Sequence, residues 1–258
     1  MFSPISVAIF LLGAIVASFI GVVVARLNTG QSIFSGRSRC DICDTTLSSL
    51  MLVPIISYLA SGGKAQCCGA KISYQAPLTE IFLGGLFVLA YSKIGLSIAL
   101  PLVFVSMALV LALVLYDLSH QILPSSLLYP FVAMSIAASV ASQPQSDFMG
   151  TLVAAVLIAA SLALIHILSQ GRAMGFADAP FAFGLSMLVG GAAFSGFIFS
   201  FWIGAVSGII ILARRPKGSR MGVEVPFAPY LAAGFLLAYF TQWNPFALTE
   251  LLIRQIAP

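Results

Sequence analysis

Long apolar runs separated by short polar stretches dominate the chain. Eight of these runs are apolar enough to cross a bilayer, which takes roughly 20 residues, although the second and sixth are short. Because lipid offers no partners to backbone polar groups, each run predicts a helix rather than an open strand. The predicted spans are residues 4–25, 77–91, 97–116, 126–141, 148–168, 177–193, 197–213 and 225–242. The pattern therefore predicts an all-α polytopic membrane protein with about eight transmembrane helices.

The composition supports the same prediction. Hydrophobic residues make up 60% of the chain and charged residues only 8%, with a mean hydropathy of +1.07. A soluble domain typically carries about 25% charged residues, so this chain could not cover a globular surface. The net charge of +4 does not indicate nucleic-acid binding, because the position of charges matters more than their sum in a membrane protein. The expected partner is the lipid bilayer, and no nucleic acid is expected.

The first apolar run could be mistaken for a secretory signal peptide. It has no basic residue ahead of it, it is as long as a membrane span, and it continues into Arg26 without a clear cleavage site. We therefore predict that residues 4–25 form a retained transmembrane helix.

The positions of the basic residues predict the orientation. With eight spans, one set of loops holds ten of the twelve Lys and Arg residues, and the other set holds Lys93 and Arg254. Loops rich in Lys and Arg stay on the cytoplasmic side, so both termini are predicted to be outside. The ten cytoplasmic residues are Arg26, Arg37, Arg39, Lys64, Lys71, Arg172, Arg214, Arg215, Lys217 and Arg220.

The cytoplasmic insert after the first span, residues 26–76, contains all four cysteines. A segment of this size has too small a hydrophobic core to fold without a crosslink or a bound metal, and the reducing cytosol disfavours a disulfide. Four thiolates suit tetrahedral zinc, so Cys40, Cys43, Cys67 and Cys68 are the candidate ligands. The first two have C-x2-C spacing but the second two are adjacent, so a three-cysteine site or no metal at all stays open.

An aspartate lies at the end of the third apolar run, in V-L-A-L-V-L-Y-D-L-S-H-Q-I-L-P. This residue, Asp117, is predicted at the carboxyl end of its helix, where the helix dipole disfavours a negative charge. An ionisable residue in a membrane span is costly and indicates a functional site by default. Asp178, in G-F-A-D-A-P at the start of the sixth run, has similar surroundings.

Under the predicted topology, Asp117 and Asp178 both lie at the cytoplasmic ends of their helices. Two neighbouring carboxylates can share one proton, so that one activates water as a base and the other acts as an acid. We therefore predict that the two aspartates face each other across the bundle and hydrolyse a peptide bond. Intramembrane carboxylates would also suit a proton-coupled transporter.

The other ionisable residues are assigned simpler roles. Glu80 and Glu224 are predicted to be helix-start acids, which the helix dipole favours. The two histidines, His120 and His166, are left outside the catalytic set as packing residues. Solvated positions are expected for the remaining acids, Asp41, Asp44, Asp147 and Glu250.

Several segments together resemble the type IV prepilin peptidase family, whose members are bifunctional leader peptidases and N-methyltransferases with a G-x-G-D motif. The opening A-S-F-I-G-V-V-V-A-R-L resembles the family's first span. R-S-R-C-D-I-C, P-I-I-S-Y-L, C-G-A-K-I-S and A-P-L-T-E resemble its cytoplasmic domain, and V-P-F-A-P-Y resembles its last signature. Y-D-L-S-H-Q-I-L-P and G-F-A-D resemble the two catalytic blocks, which places the catalytic roles on Asp117 and Asp178.

The resemblance implies an aspartic endopeptidase of the bacterial inner membrane with an active site facing the cytoplasm, which agrees with the periplasmic termini predicted from the basic residues. It would cleave the leader of type IV prepilins or type II secretion pseudopilins and then methylate the new N-terminus from S-adenosylmethionine. The residues that bind S-adenosylmethionine cannot be located, since no glycine-rich nucleotide loop is present. The predicted domains are a first transmembrane helix, a cytoplasmic domain that can hold zinc and a membrane-embedded peptidase domain, at residues 1–25, 26–76 and 77–258.

The chain departs from the family pattern at four positions. Ala177 replaces the second glycine of G-x-G-D, Pro180 replaces a lysine, Ser125 replaces an acid, and Ala65 replaces a cysteine. Both aspartates are present, so the peptidase prediction stands. The altered second cysteine pair weakens the prediction of zinc binding, and with it that of methylation, which in the family depends on the cytoplasmic domain. The alternatives are a proton-coupled transporter, which would need polar residues near the bilayer midplane, and an assembly scaffold of the same family without activity.

Overall fold

A computed structural model describes residues 3–32, 40, 42–43, 45–46, 48, 53–214, 226–243 and 245. In these residues the regular structure is helical, with one isolated antiparallel bridge between Lys64 and Lys71. The predicted all-α class is confirmed. Six helical runs are long and apolar enough to cross a membrane, and Ala228–Thr241 is a shorter apolar helix. The number of eight transmembrane helices stays a prediction.

The chain divides into two compact units, Met1–Ser97 and Ile98–Pro258. The first unit contains helices α1, α2 and α3, which span Pro4–Arg26, Ile56–Ala60 and Gln75–Ile94. The residues between α1 and α3 include the four cysteines, as predicted for the insert.

Two glycines bring α1 and α3 into close contact. A Cβ atom added to Gly13 would lie 2.7 Å from the Cα of Gly84, and one added to Gly84 would lie 2.8 Å from the carbonyl oxygen of Phe10. Neither position can accept a side chain without separating the helices. Small residues allow the close backbone approach that drives helix association in lipid.

In its described residues, the second unit contains helices α4 to α9. Helix α7 packs against α5, α6, α8 and α9, and α9 also packs against α4 and α8. Ten of the twelve residues of α7 are buried, so this short helix forms the core of the unit. The helices span Ala99–His120, Ser125–Ser142, Gln145–Leu168, Asp178–Val189, Ala193–Arg214 and Ala228–Thr241.

The extents of two predicted spans differ from the structure. The window 77–91 is part of the 20-residue helix α3. The window 177–193 contains the 12-residue helix α7, which is about 18 Å long and shorter than the roughly 30 Å hydrocarbon core. Hydropathy continues across the break between α7 and α8, so the pattern of apolar residues could not locate the end of α7.

The chain reverses direction between α7 and α8. It leaves α7 at Gly190, which has a φ of +75°, and a single 3-10 turn leads into α8. Helix α8 runs antiparallel to α9, because Gly196 lies against Phe235 and Gly204 lies against Tyr230. Helices α7 and α9 start at the same end of the unit, so α7 runs away from that end and α8 returns to it.

Candidate active site

Asp117 lies in the last turn of α4, as the sequence predicts, and its side chain is only 6% exposed. The helix ends three residues later at His120, whose ring stacks on Tyr116 with the centroids 4.3 Å apart. Gln121, with a φ of +55°, then donates its amide to the Asp117 carbonyl oxygen. The carboxylate therefore lies at the negative end of its own helix dipole, and its charge needs a partner from elsewhere.

The start of α9 provides this partner. The backbone amide of Ala228 interacts with the Asp117 carboxylate, and Ala228 is fully buried. The first amides of a helix have no partner inside that helix and carry partial positive charge, which attracts carboxylates. Sequence analysis missed this role of Ala228, although Pro229 in V-P-F-A-P-Y is the type of residue that begins a helix.

The structure also explains how Asp178 is held. It is the first residue of α7, where the helix dipole favours a negative charge, and it is 7% exposed. The backbone amide of Gly175 interacts with its carboxylate, and its own amide donates to the Gly175 carbonyl at 3.3 Å. Asp178 is close enough to interact electrostatically with both Asp117 and His166. Two buried carboxylates thus lie at one end of the unit, and Oδ2 of Asp117 finds no hydrogen-bond partner among the described residues.

Two departures from the family pattern lie next to Asp178, and the backbone accommodates both. Ala177 has a φ of −66°, which any residue adopts, so a glycine is not required there. Pro180 is the third residue of α7, within the first turn, where a missing amide hydrogen breaks no helical hydrogen bond. These substitutions therefore leave the position of Asp178 intact.

The four cysteines form one cluster in the first unit. Their sulfur atoms lie within 4.8 Å of one another, with Cys40 to Cys68 at 3.7 Å and Cys43 to Cys67 at 3.3 Å. Sulfurs at the corners of a zinc tetrahedron are about 3.8 Å apart for a Zn–S bond of about 2.3 Å. The adjacent pair also meets this spacing, with its two sulfurs 3.9 Å apart. The thiol set therefore fits a tetrahedral zinc ion.

The cluster is electrostatically uneven. Hydrogen bonds from Thr45 lower the pKa of Cys43 to about 6. The hydrogen bond between the Cys67 thiol and the Cys43 sulfur favours the neutral form of Cys67 and raises its pKa to about 12. At neutral pH the cluster carries negative charge, which attracts a cation.

A cavity of about 690 Å³ lies in the first unit beside this cluster. Its lining includes Cys40, Tyr58, Lys64, Lys71 and Glu80. The cavity is within the range of roughly 300–1,000 Å³ typical of cofactor sites, and it presents both signs of charge. A small molecule that carries a cation and a carboxylate would therefore fit it.

Glu80 corrects one prediction. It lies in the second turn of α3, and the first turn contains no acid, so Glu80 is not a helix-start acid. Its side chain is 6% exposed, and Oε2 accepts a hydrogen bond of 2.7 Å from the amide of Ile55. Ile55 has a φ of +61°, which is rare for a β-branched residue and costs on the order of 1–3 kcal/mol. The contact therefore holds the insert against α3 in a strained conformation.

No role at the site is assigned to Asp147 or His120, and four further acids lie outside the described residues. Asp147 is exposed in the first turn of α6. His120 bonds within its own helix, through Nδ1 and the Tyr116 carbonyl at 3.3 Å. Asp41, Asp44, Glu224 and Glu250 lie outside the described residues.

Two families match successive parts of the chain. The Bacterial Peptidase A24 N-terminal domain matches residues 11–94, and the type IV leader peptidase family matches residues 102–213. The second match contains both aspartates, and the first contains all four cysteines.

Known proteins match over most of the chain. A prepilin leader peptidase/N-methyltransferase of Bacillus subtilis is 33% identical over 238 residues, which cover 90% of this chain and 92% of the relative. A protein of the same name from Stutzerimonas stutzeri is 27% identical over an alignment that covers 86% of this chain and 85% of the relative. One from Myxococcus xanthus is 37% identical over 137 residues, which cover 53% of this chain and 41% of the relative. No solved structure matches the chain.

Proposed function

The chain belongs to the type IV leader peptidase family, and on this premise we propose that it cleaves the leaders of type IV prepilins or type II secretion pseudopilins. Membership in a peptidase family favours hydrolysis over proton-coupled transport. The observation that carries the proposal is the pair of buried aspartates, from α4 and α7, at one end of the second unit.

We propose that Asp117 and Asp178 share one proton in the resting enzyme. The ionised carboxylate takes a proton from water as the oxygen attacks the scissile carbonyl carbon, and the protonated carboxyl donates its proton to the carbonyl oxygen. When the C–N bond breaks, the nitrogen takes the proton from the pair, and one hydroxyl of the tetrahedral intermediate returns its proton to the pair as the new carboxyl group forms, so that one shared proton remains. The backbone amides of Ala228 and Gly175 support this role because they hold the two carboxylates in place. Oδ2 of Asp117, which has no partner among the described residues, is the atom we assign to the water.

We propose that this end of the unit faces the cytoplasm of a bacterial inner membrane. The loop between α6 and α7 contains Arg172, one of the ten basic residues assigned to that side. A reporter fused into this loop should show a cytoplasmic position, and a periplasmic signal would overturn both the orientation and the site of cleavage.

We propose that the cavity of the first unit holds the methyl donor S-adenosylmethionine. This molecule has a sulfonium and an ammonium, which suit the Glu80 carboxylate, and a carboxylate, which suits Lys64 or Lys71. The donor would supply a methyl group to the amine of the new N-terminus. The chain's own contribution is to bind the donor and to orient it through Glu80, which Ile55 holds in place.

We also propose that Cys40, Cys43, Cys67 and Cys68 hold one structural zinc ion. Zinc binding to deprotonated cysteines contributes directly to the folding of small domains. The ion would fix the insert, which also forms part of the cavity wall through Cys40.

The proposed function is tested with purified protein in detergent, a prepilin and labelled S-adenosylmethionine. Mass spectrometry should detect a shortened pilin first and then the same product with one added methyl group. The family resemblance implies cleavage after a glycine at the end of the leader, so a prepilin with that glycine replaced serves as the control and should stay intact. A folded protein that yields no shortened product would favour the scaffold alternative and overturn the proposal.

A further inference from the structure

The loop between α6 and α7 leads directly to Asp178 and is folded around one histidine. His166 is in the last turn of α6, and its carbonyl oxygen accepts the amide of Gly171 at 2.9 Å. Its ring nitrogen Nδ1 lies 2.9 Å from the carbonyl oxygen of Met174. The same side chain therefore spans from the end of α6 to the far side of the loop.

The chemistry of this contact determines which nitrogen carries the proton. A carbonyl oxygen only accepts hydrogen bonds, so Nδ1 of His166 must be the donor to Met174. Two neighbours restrain the ring: Phe176 packs edge-on with the centroids 5.6 Å apart, and a Cβ atom at Gly171 would lie 3.3 Å from Cε1. Gly171 has a φ of +77°, so the loop closes under the ring at a residue suited to that conformation.

The position of Met174 connects this contact to the candidate active site. Met174 is followed by Gly175, whose amide interacts with the Asp178 carboxylate. If the Met174 carbonyl is free to rotate, the peptide plane that carries the Gly175 amide rotates with it. On the basis of this geometry, we propose that His166 is a positioning residue that fixes the Met174–Gly175 peptide and thereby aims Asp178 at Asp117. The consequence for cleavage rests on the proposed peptidase function.

Two substitutions separate this role from general packing. In His166→Asn the side-chain amide nitrogen can take the place of Nδ1 and donate to the Met174 carbonyl oxygen. In His166→Gln the amide nitrogen lies nearer the position of Nε2, so this hydrogen bond is lost. His166→Gln should lower kcat about tenfold, the effect of one lost hydrogen bond of about 1–1.5 kcal/mol, with KM nearly unchanged. His166→Asn should keep kcat within about threefold of the wild type. His120→Gln is the matched control and should cleave normally, because in the part of the chain that the structure describes the His120 ring bonds to its own helix.

Hydrogen–deuterium exchange gives a readout that does not depend on activity. Amides 171–175 should exchange faster in His166→Gln than in the wild type or in His166→Asn. Unchanged exchange in His166→Gln would overturn the proposal, and so would equal loss of kcat in the Asn and Gln variants. If His166→Gln does not fold, His166→Ala, which also lacks a donor to Met174, should show the same faster exchange, and its absence would overturn the proposal. A wild-type protein that fails to cleave would refute the proposed function, while the exchange comparison would still decide whether His166 holds the loop.

Discussion

The two candidate sites are built in opposite ways. At the acid site, three helix ends that are distant in sequence bring together Asp117, Asp178 and the Ala228 amide, and the two side chains are 6% and 7% exposed. At the cysteine cluster, the candidate ligands come from loop residues of which three are exposed, and among the described residues few backbone hydrogen bonds hold each pair.

The difference indicates what organises each site. Helix packing holds the acid site before any ligand arrives, which suits chemistry that depends on fixed carboxylates. The cysteine cluster lacks such packing, so a metal ion would organise it and would contribute to the folding of the insert. The first site should therefore depend on single side chains, and the second on the bound ion.

The largest effect is expected at the acid site. Asp117→Asn and Asp178→Asn keep the side-chain shape but remove the group that exchanges protons, so each should lower cleavage by several orders of magnitude. The double variant should be no worse, because residues that act as a unit are not additive. Asp147→Asn, an exposed acid on α6, is the matched control and should cleave normally. Near-normal cleavage by Asp178→Asn would show that the second acid has been misassigned.

Removal of the metal should disturb mainly the cysteine cluster and the methyl transfer that depends on the insert. Metal analysis should find about one zinc per chain, and chelation should abolish methyl transfer while cleavage falls less. Cys67→Ser and Cys68→Ser, tested separately, decide between three and four ligands. Both variants should lose zinc, whereas a variant that keeps it would support a three-cysteine site. A metal-free preparation that is fully folded and methylates would contradict the zinc proposal.

The helix pair that carries the insert offers a smaller test. Gly84→Ala places a Cβ atom 2.8 Å from the Phe10 carbonyl oxygen and should destabilise the first unit by roughly 1–3 kcal/mol. Gly85→Ala is the matched control, because a Cβ atom there meets nothing within 4 Å. Thermal unfolding in detergent compares the two. Equal stability of both variants would refute the close α1–α3 contact.

The smallest effect on cleavage is expected from Glu80→Gln. The glutamine oxygen can still accept the Ile55 amide, so the insert should stay folded and cleavage should stay measurable. The lost negative charge should weaken binding of S-adenosylmethionine by about tenfold, as expected for a charged contact of about 1.5 kcal/mol. Calorimetric titration measures this change. Unaltered affinity would remove Glu80 from the donor site.

The long apolar runs and the polar stretches between them predicted most of the helices and the helix ends that carry both aspartates. Asp117 was found because an acid at the end of an apolar run is costly and therefore informative. Asp178 was paired with it through the predicted topology and the family resemblance, since nothing local to G-F-A-D shows what the side chain faces. The adjacent cysteines argued against a single metal in the sequence, but the loop brings their sulfurs to ligand spacing.

Two of the errors, at Glu80 and Ala228, have one physical cause, which is tertiary contact. Glu80 is near a helix start in the sequence, but its role is set by Ile55, 25 residues earlier. Ala228 has no polar side chain, so only its backbone amide could reveal its contact with Asp117. The length of α7 was overestimated because apolar residues continue through the turn at Gly190.

The contact between Ala228 and Asp117 also sets the order in which the enzyme becomes complete during synthesis. The two residues are 111 positions apart (228 minus 117). At roughly 5–20 residues per second, a ribosome needs about 5–20 s to synthesise the intervening chain. During that interval α4 carries its aspartate without the amide that holds it. If Asp117 acts in cleavage as proposed, the site stays incomplete until the last described helix is made, and cleavage begins only after that point.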